Sequence, residues 1–197
     1  MNCEFCTVSG TPRCASPARF MDNISTLVET LGAKTFFVVD DLFGQQREQT
    51  MQFLKMLTDY QKRIGKRLDF TVQIRLDKAK DTELLKTMRL AGINGVAIGF
   101  ESPIDEELQA MNKKIKPEEM ILLAREYNRF GFWVHGMFIF AYPHTAESSF
   151  TMTANERIKI YKKFIRKAKI DTVQILLPVP LPGTRLRTRL DCGKRIY

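Results

Sequence analysis

The sequence has no long hydrophobic run. No apolar stretch approaches the roughly 18 residues that a membrane-spanning helix needs, and the amino terminus lacks the basic segment followed by an apolar one that marks a secretory signal. We therefore expect a cytoplasmic protein without a membrane span. Because the chain has 197 residues, of which 44% are apolar, it is long enough to bury one sizeable core, and we expect a single domain over residues 1–197.

Cysteines are also few, and they are unevenly spaced. Three of the four, Cys3, Cys6 and Cys14, lie within twelve residues of one another, whereas Cys192 stands near the other end. In a reducing compartment such clustering favours metal binding or redox chemistry over structural disulfides. The C-x-x-C spacing of Cys3 and Cys6 suits a metal site or a dithiol oxidoreductase. The second is less favoured, because a thioredoxin-type pair follows a strand and no strand pattern precedes this pair.

Acidic residues are scarce toward the end of the chain. From residue 157 onward there are two acids, Asp171 and Asp191, against twelve Lys and Arg, so the net charge of +9 is a local property of this segment. The apolar residues of "RIKIYKKFIRKAK" (157–169) recur at helical spacing, which predicts an amphipathic helix with a basic outer face. That face is either simply solvated or a surface for an anionic partner such as nucleic acid.

Short β-rich segments alternate with helical patterns along the chain. Apolar periodicity and capping residues predict helices over 46–64, 81–91, 117–130 and 147–168. Nearly continuous apolar runs are typical of parallel strands that are covered on both faces. The predicted strands are "KTFFVVD" (34–40), "DFTVQIR" (69–75), "NGVAIGF" (94–100), "WVHGMFIF" (133–140) and "TVQILLP" (172–178). This alternation predicts repeated βαβ units, and hence an α/β fold that is an open parallel sheet or a piece of a (β/α) barrel.

Polar residues follow the predicted strands at the point where each one ends. Asp40 and Asp41 come after the first strand, Arg75 after the second, and Glu101 and Ser102 after the third. Because the carboxyl ends of parallel strands meet at one edge of the sheet, we expect these side chains on a common rim. Such a rim suits a polar ligand with both amino and carboxylate groups, although each residue alone is equally well explained as a helix cap or loop residue.

The motifs resemble those of a known family. Cys3-Glu4-Phe5-Cys6 resembles the second half of C-x-x-x-C-x-aromatic-C, the cluster loop of the radical S-adenosylmethionine enzymes. Further along, "VVDDLFG", "QIRLD", "GFESPIDEELQAMNK", "GMFIFAYPHT" and "PVPLPGT" resemble, in the same order, the strand-end motifs of members that often carry an amino-terminal cobalamin-binding domain. The resemblance spans nearly the whole chain.

The resemblance implies a fold and a set of ligands. The fold would be a partial (β/α)6 TIM-like barrel of the radical S-adenosylmethionine type that lacks its first strand, incomplete at the amino terminus and truncated at the carboxyl terminus. The first cluster cysteine would lie four residues before Cys3, so that Cys3 and Cys6 would be two of three thiolates on a 4Fe-4S cluster. The implied contacts with S-adenosylmethionine are Asp40 and Asp41 with the methionine amino group, Arg75 with a carboxylate, Glu101 and Ser102 with ribose, and Phe5, Gly136 and Phe138 with adenine.

The resemblance also implies an activity and partners. A reduced cluster would cleave S-adenosylmethionine to a 5′-deoxyadenosyl radical, for methyl or methylthio transfer to an unknown substrate, with flavodoxin or ferredoxin as electron donor. Cobalamin would enter through a domain outside this chain. Ala141 and His144 depart from the family pattern, since Gly is frequent at the first position and small or acidic residues at the second. The alternative is a catalytically inactive barrel fragment that binds RNA or another anion through its basic helix.

Overall fold

The computed structural model describes residues 3–7, 14–144 and 148–193, and it contains one parallel sheet. Its strands are β1 (Thr35–Phe43), β2 (Asp69–Ile74), β3 (Ile93–Glu101), β4 (Trp133–Ile139) and β5 (Thr172–Leu176). They are hydrogen-bonded in sequence order, and every neighbouring pair is parallel. Helical connections between strands laid down in this order form the wall of a partial barrel, so the predicted fold class is confirmed.

Seven α-helices accompany the sheet within the described ranges. They are α1 (Pro17–Leu31), α2 (Arg47–Ile64), α3 (Thr82–Leu90), α4 (Asp105–Ala110), α5 (Pro117–Arg129), α6 (Ala154–Ala168) and α7 (Arg185–Cys192). The predicted helices over 46–64, 81–91 and 117–130 correspond to α2, α3 and α5. None of the helices in this part of the chain is long and apolar enough to cross a membrane.

The predicted start of the fourth helix was wrong. The prediction began at residue 147, whereas α6 begins after Thr153. The Thr153 hydroxyl accepts a hydrogen bond from the Glu156 amide at 3.3 Å, and the Glu156 carboxylate accepts one from the Thr153 amide at 2.8 Å. This capping box satisfies backbone donors that would otherwise lack partners, and it therefore fixes the first turn.

Helix α1 was not predicted, although its signals are present. Ser16 caps the helix by accepting a hydrogen bond from the Arg19 amide, and Pro17 occupies the first turn. Met21, Ile24 and Val28 recur at helical spacing and are buried. The helix packs beside α2, where Phe20 stacks on Phe53 with ring centroids 4.5 Å apart.

The main core lies between the sheet and its helices. On β3, Val96, Ile98 and Phe100 are fully buried, and Phe100 stacks on Phe138 of β4 at 5.5 Å. The ring of Phe164 from α6 meets both in edge-on geometry. Successive residues of a strand point to opposite faces, so these even-numbered residues mark the face of the sheet that the helices cover.

The opposite face of the sheet, which we call the open face, is less covered. It carries Phe37, Gln73, Ala97, His135 and Met137, which alternate with the core residues, and Gln73, Ala97 and His135 lie in register across β2, β3 and β4. Phe37 is 58% exposed, and Val39 further along β1 is 90% exposed. The apolar strands had suggested that both faces were covered. Within the described residues, helices cover one face, as in the wall of a barrel whose interior remains accessible.

Candidate functional site

The two-cysteine loop docks at the carboxyl-terminal edge of the sheet. Cys3 and Cys6 close a turn in which the Cys6 amide donates to the Cys3 carbonyl at 3.4 Å. The Glu4 amide donates to the carbonyl of Met111, which follows α4, and the Glu4 carbonyl accepts from the Leu186 amide of α7. Since α4 and α7 follow the carboxyl ends of β3 and β5, these bonds place the loop at the rim where the sequence predicted the site.

Glu4 anchors this loop by its side chain. Arg189 donates from Nε to Oε1 at 2.6 Å and from Nη2 to Oε2 at 2.9 Å, and the Tyr142 hydroxyl donates to Oε2 at 2.8 Å. Burial acts to raise the pKa of Glu4, but the hydrogen bonds from Arg189 and Tyr142 outweigh it and hold that pKa below its ordinary value. The carboxylate is therefore held as an anion by two donors from distant parts of the chain.

A small apolar cluster supports the same loop. It consists of Met111, Tyr142, Leu186 and Leu190, which are all buried, and Phe5 packs against it. The rings of Phe5 and Tyr142 meet edge-on with centroids 6.0 Å apart. We call this group the rim cluster. It gathers residues from the cysteine loop, α7 and the segments that follow α4 and β4, and it is separate from the main core.

An ion pair stands beside the first cysteine. The Lys113 ammonium lies 3.1 Å from Glu101 Oε1 and also donates to the carbonyl of Gly99, and both charged side chains are 18% exposed. Burial raises the pKa of the half-buried Cys3 thiol, while the nearby Lys113 ammonium opposes that effect. Cys6 is exposed. The site therefore presents two thiols next to a carboxylate and an ammonium at the end of β3.

The donor set matches part of the implied cluster site. Within the described ranges, no group of three or more His, Cys, Asp or Glu side chains is placed to hold a metal ion. Cys14 and Cys192 are both exposed free thiols. Cys3 and Cys6 have the residue type and the loop position that two ligands of a three-thiolate cluster require. These two residues therefore fit the implied 4Fe-4S cluster.

Asp40 and Asp41, the predicted contacts of the methionine amino group, lie within β1. The prediction ended this strand at residue 40, but it continues to Phe43. Its register with β2 shifts between Val38 and Phe43, so the end of β1 is irregular. Both aspartates are exposed. The Asp40 carboxylate accepts a bond from the Leu42 amide at 3.3 Å, and the Asp41 carbonyl accepts one from Gln73.

Arg75 follows β2 and already has a carboxylate partner. Its guanidinium donates to Asp77 at 2.9 Å and 2.6 Å, and the pair is partly exposed. The Arg75 carbonyl accepts a bond from the Tyr127 hydroxyl at 2.8 Å, which fixes the backbone at the end of the strand. Arg75 thus lies at the predicted edge of the sheet, and its guanidinium is hydrogen-bonded to Asp77.

Ser102, which the resemblance implies as a ribose contact, lies inside the protein. Ser102 is fully buried, and its hydroxyl lies 2.5 Å from Glu107 Oε2 while it accepts from the Ile104 amide at 3.1 Å. Glu101, the residue before it, adopts a φ of 66°, and the Ser102 amide donates to the Phe100 carbonyl at 2.9 Å. Glu107 is itself fully buried and paired with Arg157 at 2.8 Å.

Gly136 and Phe138, two of the implied adenine contacts, lie on β4 and face the main core. Phe138 is 2% exposed and belongs to the main core, where it stacks on Phe100. A side chain at Gly136 would meet Phe138 and Ile170 on that same covered face. The residues of β4 on the open face alternate with these and include His135 and Met137. His135 is half-buried on the open face, with Nδ1 2.9 Å from the Thr172 hydroxyl.

The two departures from the family pattern lie together after β4. Ala141 adopts a φ of 60°, in the left-handed region that favours glycine, which explains why glycine is frequent there. Arg189 donates to the carbonyls of Pro143 and His144 at 2.9 and 3.0 Å. The His144 ring lies 4.6 Å from that of Phe150, and burial lowers its pKa.

Sequence reasoning missed four residues that shape the site: Glu4, Lys113, Tyr142 and Arg189. Lys113 has a local signal, because it follows a helix that begins just after β3. Arg189 and Glu4 are 185 positions apart, so no local pattern joins them. An acidic residue between two cysteines, with an excess of basic over acidic residues near the far end, is the signal that the sequence offers.

Comparison with known proteins finds similar sequences among methyl-transferring enzymes. No family model matches the chain. The hopanoid C-2 methylase of Rhodopseudomonas palustris is 28% identical over 200 residues, which cover 98% of this chain and 36% of that protein. An uncharacterized methyltransferase of Pyrococcus horikoshii is 26% identical over 189 residues, covering 94% of this chain and 38% of that protein. The chain thus spans just over a third of the length of these curated relatives.

Solved structures give the same fold. The cobalamin-dependent S-adenosylmethionine radical enzyme OxsB, solved with aqua-cobalamin and S-adenosylmethionine, matches with a TM-score of 0.74 and 13% identity over 98% of this chain and 34% of its own. The radical S-adenosylmethionine methyltransferase TsrM of Kitasatospora setae, solved with cobalamin and a 4Fe-4S cluster, matches with a TM-score of 0.73 and 18% identity over 94% of this chain and 36% of its own. Fold and sequence matches together confirm the resemblance: the chain has the fold of these radical S-adenosylmethionine enzymes, and its sequence is similar to that of the methylase and the methyltransferase.

Proposed function

We propose that the protein containing this chain is a radical S-adenosylmethionine enzyme that transfers a methyl or methylthio group, and that residues 1–197 form part of its catalytic core. The observation that carries the proposal is the docking of Cys3 and Cys6 at the carboxyl-terminal rim of a partial barrel, beside the Glu101–Lys113 pair. The two curated relatives, a hopanoid methylase and an uncharacterized methyltransferase, support the reaction class.

The proposed cluster ligands are Cys3 and Cys6, together with a third cysteine outside the described residues. Thiolates hold iron-sulfur clusters, and hydrogen bonds and nearby charges tune them. Lys113 is the cation placed to offset the negative charge of thiolates in this loop, since it acts electrostatically on Cys3. A cluster held by these thiolates would supply one-electron reduction of S-adenosylmethionine, which would break a carbon–sulfur bond and give a 5′-deoxyadenosyl radical and methionine.

The remaining cofactor contacts are assigned to residues that reach the rim. Asp40 and Asp41 are exposed carboxylates that suit the methionine amino group, and Glu101 is an acceptor near Cys3 that suits ribose hydroxyls. Arg75 suits the methionine carboxylate if that carboxylate replaces Asp77 on its fork. Phe5, packed on Tyr142, is the proposed aromatic neighbour of adenine.

Cobalamin is a second proposed cofactor, held by a part of the protein outside this chain. The support is that OxsB and TsrM, which share the fold, were solved with cobalamin bound. The open face would then border the substrate, and an electron donor such as flavodoxin or ferredoxin would reduce the cluster. TsrM was also solved with tryptophan as substrate, at a TM-score of 0.67.

The test uses the full-length protein, reconstituted with iron and sulfide without oxygen and then reduced in the presence of S-adenosylmethionine. We expect formation of 5′-deoxyadenosine or S-adenosylhomocysteine, and loss of both products in Cys3→Ala and Cys6→Ala. Cys14→Ala is the matched control, because Cys14 is an exposed thiol near the same loop. Absence of both products from cluster-loaded wild-type protein would contradict the proposal.

An anion-binding role is the second candidate, and one observation favours it. Lys159, Lys162, Lys163, Arg166 and Lys167 line one shallow groove of about 410 Å³ on α6. Within the described chain, none of these side chains forms a salt bridge. RNA affinity that falls steeply with salt, and that disappears when Lys162, Lys163, Arg166 and Lys167 are neutralised, would support this role. Unchanged weak binding in that variant would exclude it.

A further inference from the structure

We infer that Arg189 is a positioning residue for the cysteine loop. We also infer that the proline-rich segment after β5 orients α7 so that Arg189 reaches the Glu4 carboxylate. The inference rests on the proposed function, because it assigns a role in ordering the proposed cluster ligands. It concerns the metal-free loop, so it is tested separately from catalysis.

The contacts of Arg189 link three segments of the rim. Its guanidinium grips the Glu4 carboxylate with two bonds and also donates to the carbonyls of Pro143 and His144. Four bonds from one planar fork specify direction as well as distance. With side-chain exposures of 23% for Arg189 and 13% for Glu4, the pair is well shielded from solvent. Loss of either partner therefore leaves buried polar groups without their bonds.

Glu4 is well placed to transmit this constraint. It is adjacent to Cys3 and two positions from Cys6, and its backbone is bonded on both sides, to Met111 and to Leu186. The side chain and the backbone of one residue thus hold the middle of the C-x-x-C turn. If the side-chain anchor is removed, two backbone bonds of 3.1 to 3.2 Å and the packing of Phe5 remain to order the loop.

The direction of α7 is fixed by the segment before it. Thr184 is 2% exposed, its hydroxyl donates to the Leu181 carbonyl at 2.6 Å, and the same oxygen accepts from the Arg187 amide at 3.2 Å. Thr184 therefore closes the turn after the prolines and caps α7. This gives "PVPLPGT" a role in placing Arg189, five residues further on, in addition to any ligand contact.

The chain offers a matched control on the same helix. Arg187 lies two residues before Arg189, is 40% exposed, and pairs with Asp191 within α7 at 2.9 Å. Arg187→Ala removes the same number of atoms and the same charge as Arg189→Ala, without touching Glu4. Differences between the two variants therefore report the contact with the cysteine loop and not the charge of the helix.

The experiment measures alkylation of each cysteine by iodoacetamide in the full-length, reduced, metal-free protein, with peptide mass spectrometry as the readout. Cys192 serves as the exposed internal reference. In Arg189→Ala we expect the rate at Cys3 to rise about tenfold or more, because charged hydrogen bonds that resist local opening are lost. The rates at Cys192 should stay the same, and Arg187→Ala should match the wild type.

Two further variants test the mechanism. Glu4→Gln should raise the Cys3 rate in the same direction, and the double variant Glu4→Gln/Arg189→Ala should be no faster than Arg189→Ala alone, because both changes break one contact. Iron retained after reconstitution and gel filtration should fall in Arg189→Ala and be unchanged in Arg187→Ala.

Three results would overturn the inference. They are an unchanged Cys3 rate in Arg189→Ala, an equal acceleration of Cys3 in Arg187→Ala, and additive effects in the double variant. The outcomes separate this inference from the proposed function. If alkylation of Cys3 is slow in the wild type and fast in Arg189→Ala, the positioning role is supported even if the protein yields no product from S-adenosylmethionine.

Discussion

The main core and the rim cluster are built in different ways. The main core is formed by neighbouring β–α units, in which residues such as Phe100 and Phe138 meet across adjacent strands. The rim cluster has four buried members, and its contacts join the two ends of the described chain. The fold therefore draws its stability from the first, whereas the order of the cysteine loop depends on the second. Damage to the main core should unfold the protein, whereas damage at the rim should loosen the site.

Removal of a large ring from the main core should have the largest effect on stability. Phe100 is fully buried between Phe138 and Phe164, so Phe100→Ala should lower the free energy of unfolding by about 3–5 kcal/mol. Urea unfolding followed by circular dichroism measures this change. Phe37→Ala, on the open face, is the control and should cost under about 1 kcal/mol. Equal losses in the two variants would contradict the assignment of the two faces.

The buried ion pair connects α4 to α6 and should rank next. Arg157→Leu leaves the fully buried Glu107 carboxylate without its cation, which should cost about 3–4 kcal/mol. Arg129→Leu is the matched control, because Arg129 is largely exposed and pairs with Glu126 within one helix, and it should cost under about 1 kcal/mol. Thermal melts of both variants would reveal the difference, and similar melting temperatures would refute it.

A backbone change at the rim should stabilise the protein. Ala141 has a φ of 60°, and Ala141→Gly relieves strain while it adds some entropy to the unfolded chain, for a net gain of about 0.5–1 kcal/mol. Ala124→Gly inside α5 is the control and should destabilise by at least about 1 kcal/mol. The free energies of unfolding in urea should thus change with opposite signs. A loss at position 141 would mean that its conformation carries no strain.

The smallest effect concerns a helix cap remote from the rim. A hydrogen bond from Arg47 lowers the pKa of Asp81, which also caps α3 through the Leu84 amide. Because the folded-state pKa is depressed, the stabilisation is present above the ordinary pKa of about 3.9 and is lost as the pH falls through the folded value. Asp81→Asn should therefore be less stable at neutral pH by under about 1 kcal/mol, and the gap should narrow in acid.

Melting temperatures of wild type and Asp81→Asn at neutral pH and near pH 3 test this prediction. A gap that widens on acidification would contradict the sign of the pKa change.

The same contrast explains what the sequence predicted. The strands and the helices α2, α3 and α5 depend on local periodicity and caps, and they were predicted to within a few residues. The sequence did not predict which face of the sheet Phe138 occupies. In "WVHGMFIF" both alternating sets of positions contain apolar residues, and packing against α6 decides which set is buried. Glu4 and Arg189 meet through tertiary contacts that no local pattern encodes.

The cysteine loop is the point on which the account depends. Electron paramagnetic resonance of the reduced, anaerobically reconstituted full-length protein tests it most directly. We expect a 4Fe-4S signal in wild type and in Cys14→Ala, and this signal should change when S-adenosylmethionine is added. The signal should be lost in Cys3→Ala and in Cys6→Ala. An undiminished signal in Cys3→Ala, or a signal lost in Cys14→Ala, would contradict the assignment of Cys3 and Cys6 as cluster ligands.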